Sequence, residues 1–288
     1  MDNRLFSIEY ALFWAKEQLS AGGVSDDGLH DSAAFDSKVL LAACLQRELV
    51  YLHTWPETLL DELQMQGFQE YIKQRSLGHP VAHIIGYRDF WTLRLKVSPA
   101  TLIPRPETEL LVEIALNLNL GKRSKVLDLG SGTGAIALAL ATENPNWLIT
   151  GVDKNSKAVE LAKDNAATLE LERVNFIQSD WFSAVAHRQF DLIVTNPPYI
   201  EENNHYLQLG DVRFEPNNAL TSGADGLDDI RLIVSQSKHY LTANAWLAIE
   251  HGYQQSSQVS DILRAHGFKQ IRSERDLNGM PRVTLGCI

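Results

Sequence analysis

The stretch Val126-Leu-Asp-Leu-Gly-Ser-Gly-Thr-Gly134 decides the fold of this chain. An apolar run typical of a buried strand enters a glycine-rich turn, and a predicted helix over residues 135–141 follows. Glycines at 130, 132 and 134 let the backbone approach a ligand closely, in the crevice beyond the strand ends where open α/β sheets bind ligands. The spacing GxGxG supports a dinucleotide pyrophosphate less well than GxGxxG would. The alternative is a tight strand-to-helix turn without a ligand.

Polar and aromatic groups follow the next two predicted strands. Asp153 lies 23 residues after Gly130, close to the interval expected of an acid that accepts hydrogen bonds from ribose hydroxyls. The following strand ends in Ser179-Asp180-Trp181, which offers a carboxylate and a flat ring to an adenine. Core packing explains Trp181 alone nearly as well. Together the three strand ends predict a site for a nucleoside-containing ligand.

The region 107–288 has the alternation of apolar strands and helices that a parallel sheet requires. Its last two strands are joined too tightly for a helical crossover, so we expect an antiparallel hairpin at the sheet edge. The predicted strands are 125–129, 147–152, 174–178, 190–195, 246–250, 269–273 and 282–286.

Residues 1–76 predict a small helical domain instead. Ser7 is a candidate cap for a first helix, a second helix is expected over 35–45, and a third is expected to start near Thr54-Trp-Pro-Glu57, with proline in its first turn. The apolar stripe predicted for the first helix comprises Ile8, Leu12, Ala15 and Leu19.

Residues 77–106 predict a connecting hairpin and linker between the two domains. Gly78, Pro80 and Gly86 interrupt the helical pattern. From Trp91 to Val97 apolar and polar residues alternate, as in a half-buried strand.

Composition argues against several classes of protein. A net charge of −10 over 288 residues argues against a broad basic face for nucleic acid. Two distant cysteines without CxxC spacing predict free thiols in a reducing compartment. Because the first residues lack a signal-peptide pattern and no long apolar run occurs, we expect a cytoplasmic protein without a membrane span. Pro80 separates His79 from His83 and no third ligand is near in sequence, so we predict no metal site.

On these residues the chain resembles the S-adenosylmethionine-dependent methyltransferases of the seven-stranded, Rossmann-like α/β class. The resemblance implies that the glycine loop faces the methionine part of S-adenosylmethionine and that Asp153 holds the ribose. It also implies that Asp180 and Trp181 flank the adenine. The cofactor residues implied in the loop are Gly130, Ser131, Gly132, Thr133 and Gly134.

The strand 190–195 ends abruptly in Asn196-Pro-Pro-Tyr-Ile200, and we expect this strand to lie beside the glycine-loop strand. Asn196 would then lie beside the cofactor's methyl group. A planar NH2 group is a poor nucleophile until both N–H bonds are held and the nitrogen can pyramidalise. The side-chain oxygen of Asn196 and the carbonyl of Pro197 can hold them, because proline offers an acceptor without a competing donor.

The rest of this NPPY loop, Asn196 to Tyr199, fits the same task. Pro197 and Pro198 stiffen the loop, and the ring of Tyr199 can cover the planar group and exclude water. No general base is needed, because the methylated nitrogen becomes acidic and loses its proton to water. A rigid loop with a core tyrosine is the structural alternative. The loop alone leaves an amide and an exocyclic base amine as possible acceptors.

Three further features resemble the peptide chain release factor glutamine methyltransferases: the helical N-terminal region, Leu102-Ile-Pro-Arg-Pro-Glu-Thr-Glu109 and Gly210-Asp-Val-Arg-Phe-Glu-Pro216. This resemblance covers essentially the whole chain. It implies methyl transfer to N5 of the glutamine in the Gly-Gly-Gln loop of bacterial class I release factors. Asn196, Pro197, Pro198 and Tyr199 would hold the target amide, and the helical domain would help to dock the protein substrate.

Other interpretations stay open at this point. A ribosomal-protein glutamine methyltransferase is the nearest relative, and it usually differs at the Pro-Arg-Pro-Glu-Thr-Glu segment. A nucleic acid amino-methyltransferase acting on adenine N6 or guanine N2 would share the NPPY loop, and a non-catalytic adapter would bind without turnover. We expect a monomer with release factors as partners and no direct nucleic acid partner. Arg105, Glu107, Arg213 and Glu215 are candidates for either substrate contacts or structural ion pairs.

Overall fold

A computed structural model describes residues 6–22 and 32–288. The chain divides into two compact units, one comprising Met1–Gly86 with Gly210–Phe214 and the other Tyr87–Leu209 with Glu215–Ile288. Residues 1–5 and 23–31 of the predicted helical region lie outside the described residues.

The first unit is helical. Ser7 caps its first helix as predicted, because the Ser7 side chain accepts a hydrogen bond from the backbone N–H of Tyr10. The buried stripe of that helix is Ile8, Ala11, Ala15 and Leu19, and Leu12 is only partly buried. The helices are α1 Ile8–Ala21, α2 Ser32–Leu45, α3 Leu49–Thr54, α4 Glu62–Ser76 and α5 Val81–Ile85.

The predicted start of a third helix at Thr54 is wrong. α3 ends at Thr54, and the next helix begins only after Asp61, whose side chain accepts from the N–H of Gln64 while the Gln64 side chain accepts from the N–H of Asp61. This reciprocal capping box fixes the start of α4. The predicted interruption of the helical pattern is confirmed, because α4 ends at Ser76 before Gly78 and Pro80. A further short helix, α5, follows Pro80 and closes at Gly86 with φ of 82°.

The second unit begins with an antiparallel hairpin of β1 Tyr87–Phe90 and β2 Leu93–Lys96. The predicted alternation is confirmed in β2, where Leu93 and Leu95 are buried and the two residues between and after them are exposed. Trp91 was predicted to be a strand residue, but it lies in the turn with φ of 57°.

A seven-stranded sheet in the order β5-β4-β3-β6-β7-β9-β8 forms the centre of this unit. The first five of these strands pair in parallel, and β9 pairs antiparallel with both β7 and β8. The predicted α/β class, the edge hairpin and the placement of the fourth strand beside the glycine-loop strand are therefore confirmed. The strands are β3 Lys125–Leu129, β4 Leu148–Asp153, β5 Asn175–Gln178, β6 Phe190–Thr195, β7 Leu241–Glu250, β8 Lys269–Arg275 and β9 Pro281–Cys287.

Helices cover both faces of this sheet. Alternate residues of a strand serve opposite faces, so Leu192 and Val194 of β6 join one core while Ile193 joins the other. Because β3, β4, β5 and β6 pair in parallel, their carboxyl ends share one edge of the sheet, where polar loops can meet. The helices are α6 Glu109–Asn117, α7 Ala135–Glu143 and α8 Ser156–Thr168 on one face and α9 Asp228–Ser237 and α10 Ser256–Ala265 on the other.

No helix in the described part of the chain is both long enough and apolar enough to cross a membrane.

Candidate active site

A cavity of about 480 Å³ opens at the carboxyl ends of these parallel strands, within the second unit. Small-molecule sites commonly have volumes of about 300–1,000 Å³. Segments before α6 and before α9 complete its wall. Three residues predicted for the site, Gly134, Pro197 and Tyr199, are not part of the lining. The predicted residues that do line it are Gly130, Ser131, Gly132, Thr133, Asp153, Asp180, Trp181, Asn196 and Pro198.

The glycine loop needs its glycines for two different reasons. Gly130, Gly132 and Gly134 have φ of 71°, 53° and 84°, a region that side chains with a Cβ rarely adopt. The backbone of Gly132 faces the cavity. A Cβ on Gly134 would instead lie 2.9 Å from Cζ of Phe176 and 3.1 Å from Cδ1 of Leu138. Gly134 therefore permits close packing of α7 against the sheet.

Asp153 ties the ends of β3 and β4 together. Its Oδ2 accepts from the N–H of Gly132 and its Oδ1 from the N–H of Asn155, both at 2.9 Å. Burial raises the pKa of this carboxyl group, and the two backbone hydrogen bonds oppose that rise. Each carboxylate oxygen can accept more than one hydrogen bond, so both retain capacity for the hydroxyl groups of a ligand.

Two hydroxyl groups on the cavity wall show that the site suits a polar ligand. Oγ1 of Thr101 and Oγ of Ser131 are buried and have no hydrogen-bond partner among the described residues. Buried polar atoms are nearly always hydrogen-bonded in native proteins, so these two atoms point to a bound polar group. Sequence reasoning missed Thr101, because nothing local distinguishes it from other loop threonines.

Sequence reasoning also missed Asp128, which lies in β3 directly before the glycine loop. Its side chain is fully buried, Oδ2 accepts from the N–H of Ala137 at 3.2 Å, and Oδ1 has no partner among the described residues. Burial raises its pKa to about 7, and the nearby charge of Asp153 adds to the rise. The sequence did contain a signal for Asp128, because a carboxylate inside an otherwise apolar strand is unusual.

The residues predicted to flank an adenine, Asp180 and Trp181, follow the end of β5. Trp181 lines the cavity and its ring faces Gly130, because a Cβ on Gly130 would lie 3.6 Å from Cζ3 of the ring. Asp180 forms an exposed ion pair with Lys154, with 2.9 Å between Oδ2 and Nζ. An aromatic wall and a carboxylate therefore stand where the sequence predicted them.

The NPPY loop follows β6 immediately beside the glycine loop, because Thr195 pairs with Leu129 in the sheet. The Nδ2 group of Asn196 donates to Oγ1 of Thr108 at 3.1 Å. Pro197 is buried, whereas Pro198 reaches the cavity.

Contacts from distant segments hold Tyr199. Its carbonyl accepts from Nε2 of Gln255 at 3.0 Å, and a Cβ on Gly226 would lie only 2.2 Å from the same oxygen. Burial raises the pKa of the Tyr199 phenol, and the charge of Glu250 adds to this rise, so the ring stays neutral. The loop is therefore braced from the loop before α9 and the loop before α10.

Three of the charged residues left open by the sequence, Arg105, Glu215 and Arg213, have structural partners. Arg105 forms an ion pair with the buried carboxylate of Glu215, which also accepts from the N–H of Ile103 at 3.2 Å. These contacts hold the segment before α6 to the segment that follows residue 214. In the helical unit, Arg213 donates to the carbonyl of Gly210 and lies over the ring of Phe214.

Comparison with known proteins matches both units. A model of the PrmC N-terminal domain matches residues 11–86, and a model of the methyltransferase small domain matches residues 106–224. The release factor glutamine methyltransferase of Shewanella oneidensis is 48% identical over 279 residues, covering 97% of this chain and 95% of that protein. The protein of the same name from Vibrio cholerae is 48% identical over 281 residues, covering 97% and 96%.

Solved structures share the fold at low sequence identity. A methyltransferase from Pyrococcus furiosus is 16% identical with a TM-score of 0.52, covering 76% of this chain and 96% of that one.

Proposed function

This chain belongs to the release factor glutamine methyltransferases, and we propose that it transfers a methyl group from S-adenosylmethionine to N5 of the glutamine in the Gly-Gly-Gln loop of bacterial class I release factors. The observation that carries the proposal is the position of Asn196. Its side chain borders the cavity beside the glycine loop, and its nitrogen is already engaged by Thr108. The amide oxygen is thus the atom left to accept an N–H from an incoming amide.

The cavity fits S-adenosylmethionine as the cofactor. Asp153 would accept hydrogen bonds from the ribose hydroxyls, Trp181 would lie against the adenine, and the glycine loop with Thr101 and Ser131 would receive the polar methionine end. When bound, this cofactor supplies an electrophilic methyl group on a sulfonium. The remaining task of the protein is to position the acceptor.

Residues of the NPPY loop would perform that positioning. Asn196 Oδ1 and the carbonyl of Pro197 would each hold one N–H of the glutamine amide, which frees the nitrogen lone pair for attack on the methyl carbon. The neutral ring of Tyr199 would cover the amide and exclude water. The nitrogen gains the methyl group and releases one proton to water, so no side chain needs to act as a base.

The helical unit is the proposed docking domain for the protein substrate. Large apolar side chains are exposed on it, including Phe13 at 64%, Trp55 at 56% and Leu63 at 80%. Exposed apolar surface of this kind is common where proteins bind partners. The match of residues 11–86 to the PrmC N-terminal domain supports the same assignment.

We further propose that the protein acts as a monomer in the cytoplasm. The lining of the cavity comes from one unit of a single chain, so a second copy is not needed to complete it. Cys44 and Cys287 are both free, which suits a reducing compartment. Sedimentation of the purified protein measures its mass directly, and a stable dimer would contradict the monomer.

Labelled methyl transfer to a purified release factor tests the proposed function. Label should enter the wild-type factor and be absent when the Gly-Gly-Gln glutamine is replaced. Label that persists in that variant, or enters only a ribosomal protein or a nucleic acid, would overturn the assignment.

Asn196→Ala tests the proposed role of this side chain in the same assay. We expect kcat to fall by about 100-fold or more, because the acceptor amide loses one of its two positioning contacts. Calorimetric titration should find S-adenosylmethionine affinity within about threefold of wild type, since the glycine loop and Asp153 are unchanged. The matched control is Asn203→Ala at an exposed position of the following loop, which should leave both values unchanged.

A further inference from the structure

The amide group of Asn196 is useful in only one of its two orientations. With Oδ1 towards the acceptor it can hold an N–H of a substrate amide. After a rotation of 180° it would present its own NH2 to another NH2 group, and neither can accept a hydrogen bond from the other. The proposed reaction therefore requires a device that fixes this orientation.

Thr108 provides the first part of the device. It is buried at the start of α6, and its Oγ1 accepts from Nδ2 of Asn196 at 3.1 Å, across 88 residues of sequence. A threonine hydroxyl group can also donate, however. Thr108 alone would tolerate a rotated Asn196, since its hydroxyl could turn and donate to Oδ1.

Glu250 removes that freedom. It ends β7 next to β6, where Ile249 pairs with Thr195, and its side chain is 1% exposed. The side chains of Thr108 and Asn196 both lower the pKa of this carboxyl group, so they lie beside it, and its Oε2 has no hydrogen-bond partner among the described residues. An ionised carboxylate only accepts, so a carboxylate at this place favours a Thr108 hydroxyl group that donates towards it and an Asn196 nitrogen that faces inward.

We propose that Thr108 and Glu250 are positioning residues that hold the Asn196 amide with its nitrogen inward and Oδ1 towards the acceptor amide. Because the side chain of Glu250 is almost completely buried, it acts through Asn196 and not on the substrate. This inference rests on the proposed function for its catalytic consequence. The orientation of the amide group, by contrast, is a property of the protein alone.

This arrangement of Thr108, Asn196 and Glu250 predicts that the rate of methyl transfer depends on pH. Charged or titratable groups around Glu250 come from three other elements: Glu107 before α6, Tyr199 in the NPPY loop and Arg282 in β9. The pKa of Glu250 is raised to about 7, mainly by burial and also by the charge of Glu107. The side chains of Thr108 and Asn196 and the charge of Arg282 oppose that rise. Below that pKa the protonated carboxyl group becomes a donor and can bond a rotated Asn196. Methyl transfer should therefore fall as pH drops below about 7.

Three variants test the device kinetically. Thr108→Val removes the hydroxyl group at nearly constant volume, Thr108→Ser retains it, and Glu250→Gln replaces an obligate acceptor with a group that both donates and accepts. We expect Thr108→Val and Glu250→Gln to lower kcat by about 10- to 100-fold, because the acceptor is misplaced in a fraction of molecules. The affinity for S-adenosylmethionine should stay within about threefold, and Thr108→Ser should rescue most of the loss relative to Thr108→Val. The acid limb of the kcat profile should disappear in Glu250→Gln.

The proposal would be overturned if Thr108→Val kept kcat within about threefold of wild type, if Thr108→Ser were as impaired as Thr108→Val, or if the acid limb persisted in Glu250→Gln. Should Glu250→Gln fail to fold, the two Thr108 variants decide the matter.

A readout without turnover separates this inference from the proposed function. In protein labelled with 15N-asparagine, the side-chain NH2 of Asn196 should give two resolved proton signals that exchange slowly with water in wild type and Thr108→Ser. The protection should be lost in Thr108→Val. Protection that is unchanged in Thr108→Val contradicts the positioning, whereas normal spectra with no methylation of any release factor contradict the proposed function instead.

Discussion

The buried carboxyl group of Asp128 makes the stability of the second unit depend on pH in a way that one substitution should remove. Asp128→Asn keeps the oxygen that accepts from the N–H of Ala137, and it places an NH2 group where Oδ1 has no partner among the described residues. Shape and the backbone hydrogen bond are retained, and the charge is lost. The variant therefore isolates the cost of ionising this side chain inside the protein.

The magnitude follows from the pKa of about 7 in the folded protein, set against an ordinary value of 3.8. Because the folded pKa is raised, the native state holds its proton more tightly, and stability falls as pH rises above the unfolded pKa until it levels off above the folded pKa. A difference of roughly three units corresponds to about 4 kcal/mol above pH 8, of which about 1–2 kcal/mol is already present at pH 5. Between pH 5 and pH 8 the wild type should thus lose about 2–3 kcal/mol that Asp128→Asn does not lose.

Urea unfolding of the cofactor-free protein, followed at pH 5, 6, 7 and 8 for both proteins, measures this difference. The other buried acid of the site, Glu250, is present in both and cancels in the comparison. Asp164→Asn is the matched control, because Asp164 is exposed on α8 and its charge is in water whether the chain is folded or not. A stability difference between Asp128→Asn and wild type that is the same at pH 5 and pH 8 would refute the reasoning.

Two further predictions concern packing and a buried ion pair. Gly134→Ala should destabilise the second unit by about 2–4 kcal/mol, because a Cβ would lie 2.9 Å from Phe176 on a backbone with φ of 84°. The control, Gly279→Ala, has a similar φ of 76° but lies in open space and should cost only about 1 kcal/mol. Equal melting temperatures for the two variants would contradict the packing role. Arg75→Met should destabilise the helical unit by about 3 kcal/mol, since Arg75 is paired at 2.7 Å with both Asp36 and Asp211 at 12% side-chain exposure, and its loss leaves carboxylates without a countercharge. The control is the exposed ion pair of Arg264 with Asp261, and Arg264→Met should change the free energy of unfolding by less than about 1 kcal/mol. A similarly small change for Arg75→Met would argue against a stabilising role of the buried pair.

Local patterns predicted the framework of the site well. Every predicted strand of the seven-stranded sheet is present, because apolar runs of this length bounded by turn residues have few alternatives in an α/β chain. Six of them end within about two residues of the prediction, whereas β7 starts at Leu241, five residues before its predicted start. Helix boundaries in the first unit were harder. Pro56 suggested a helix start that the Asp61 capping box places several residues later, and both positions satisfy the simple rules.

The sequence by itself determined the α/β class, the glycine loop, Asp153, Trp181 and the NPPY loop, since each depends on residues that are neighbours along the chain. Only the tertiary structure showed that Gly134 packs against Phe176 and that Arg105 meets Glu215 from 110 residues away. It also brought Thr108 and Glu250 to Asn196, from opposite ends of the second unit's sequence. The physical reason is that a strand or turn is selected by local backbone preferences and apolar periodicity. The partner of a buried polar group is selected by which chain segments the completed sheet brings together.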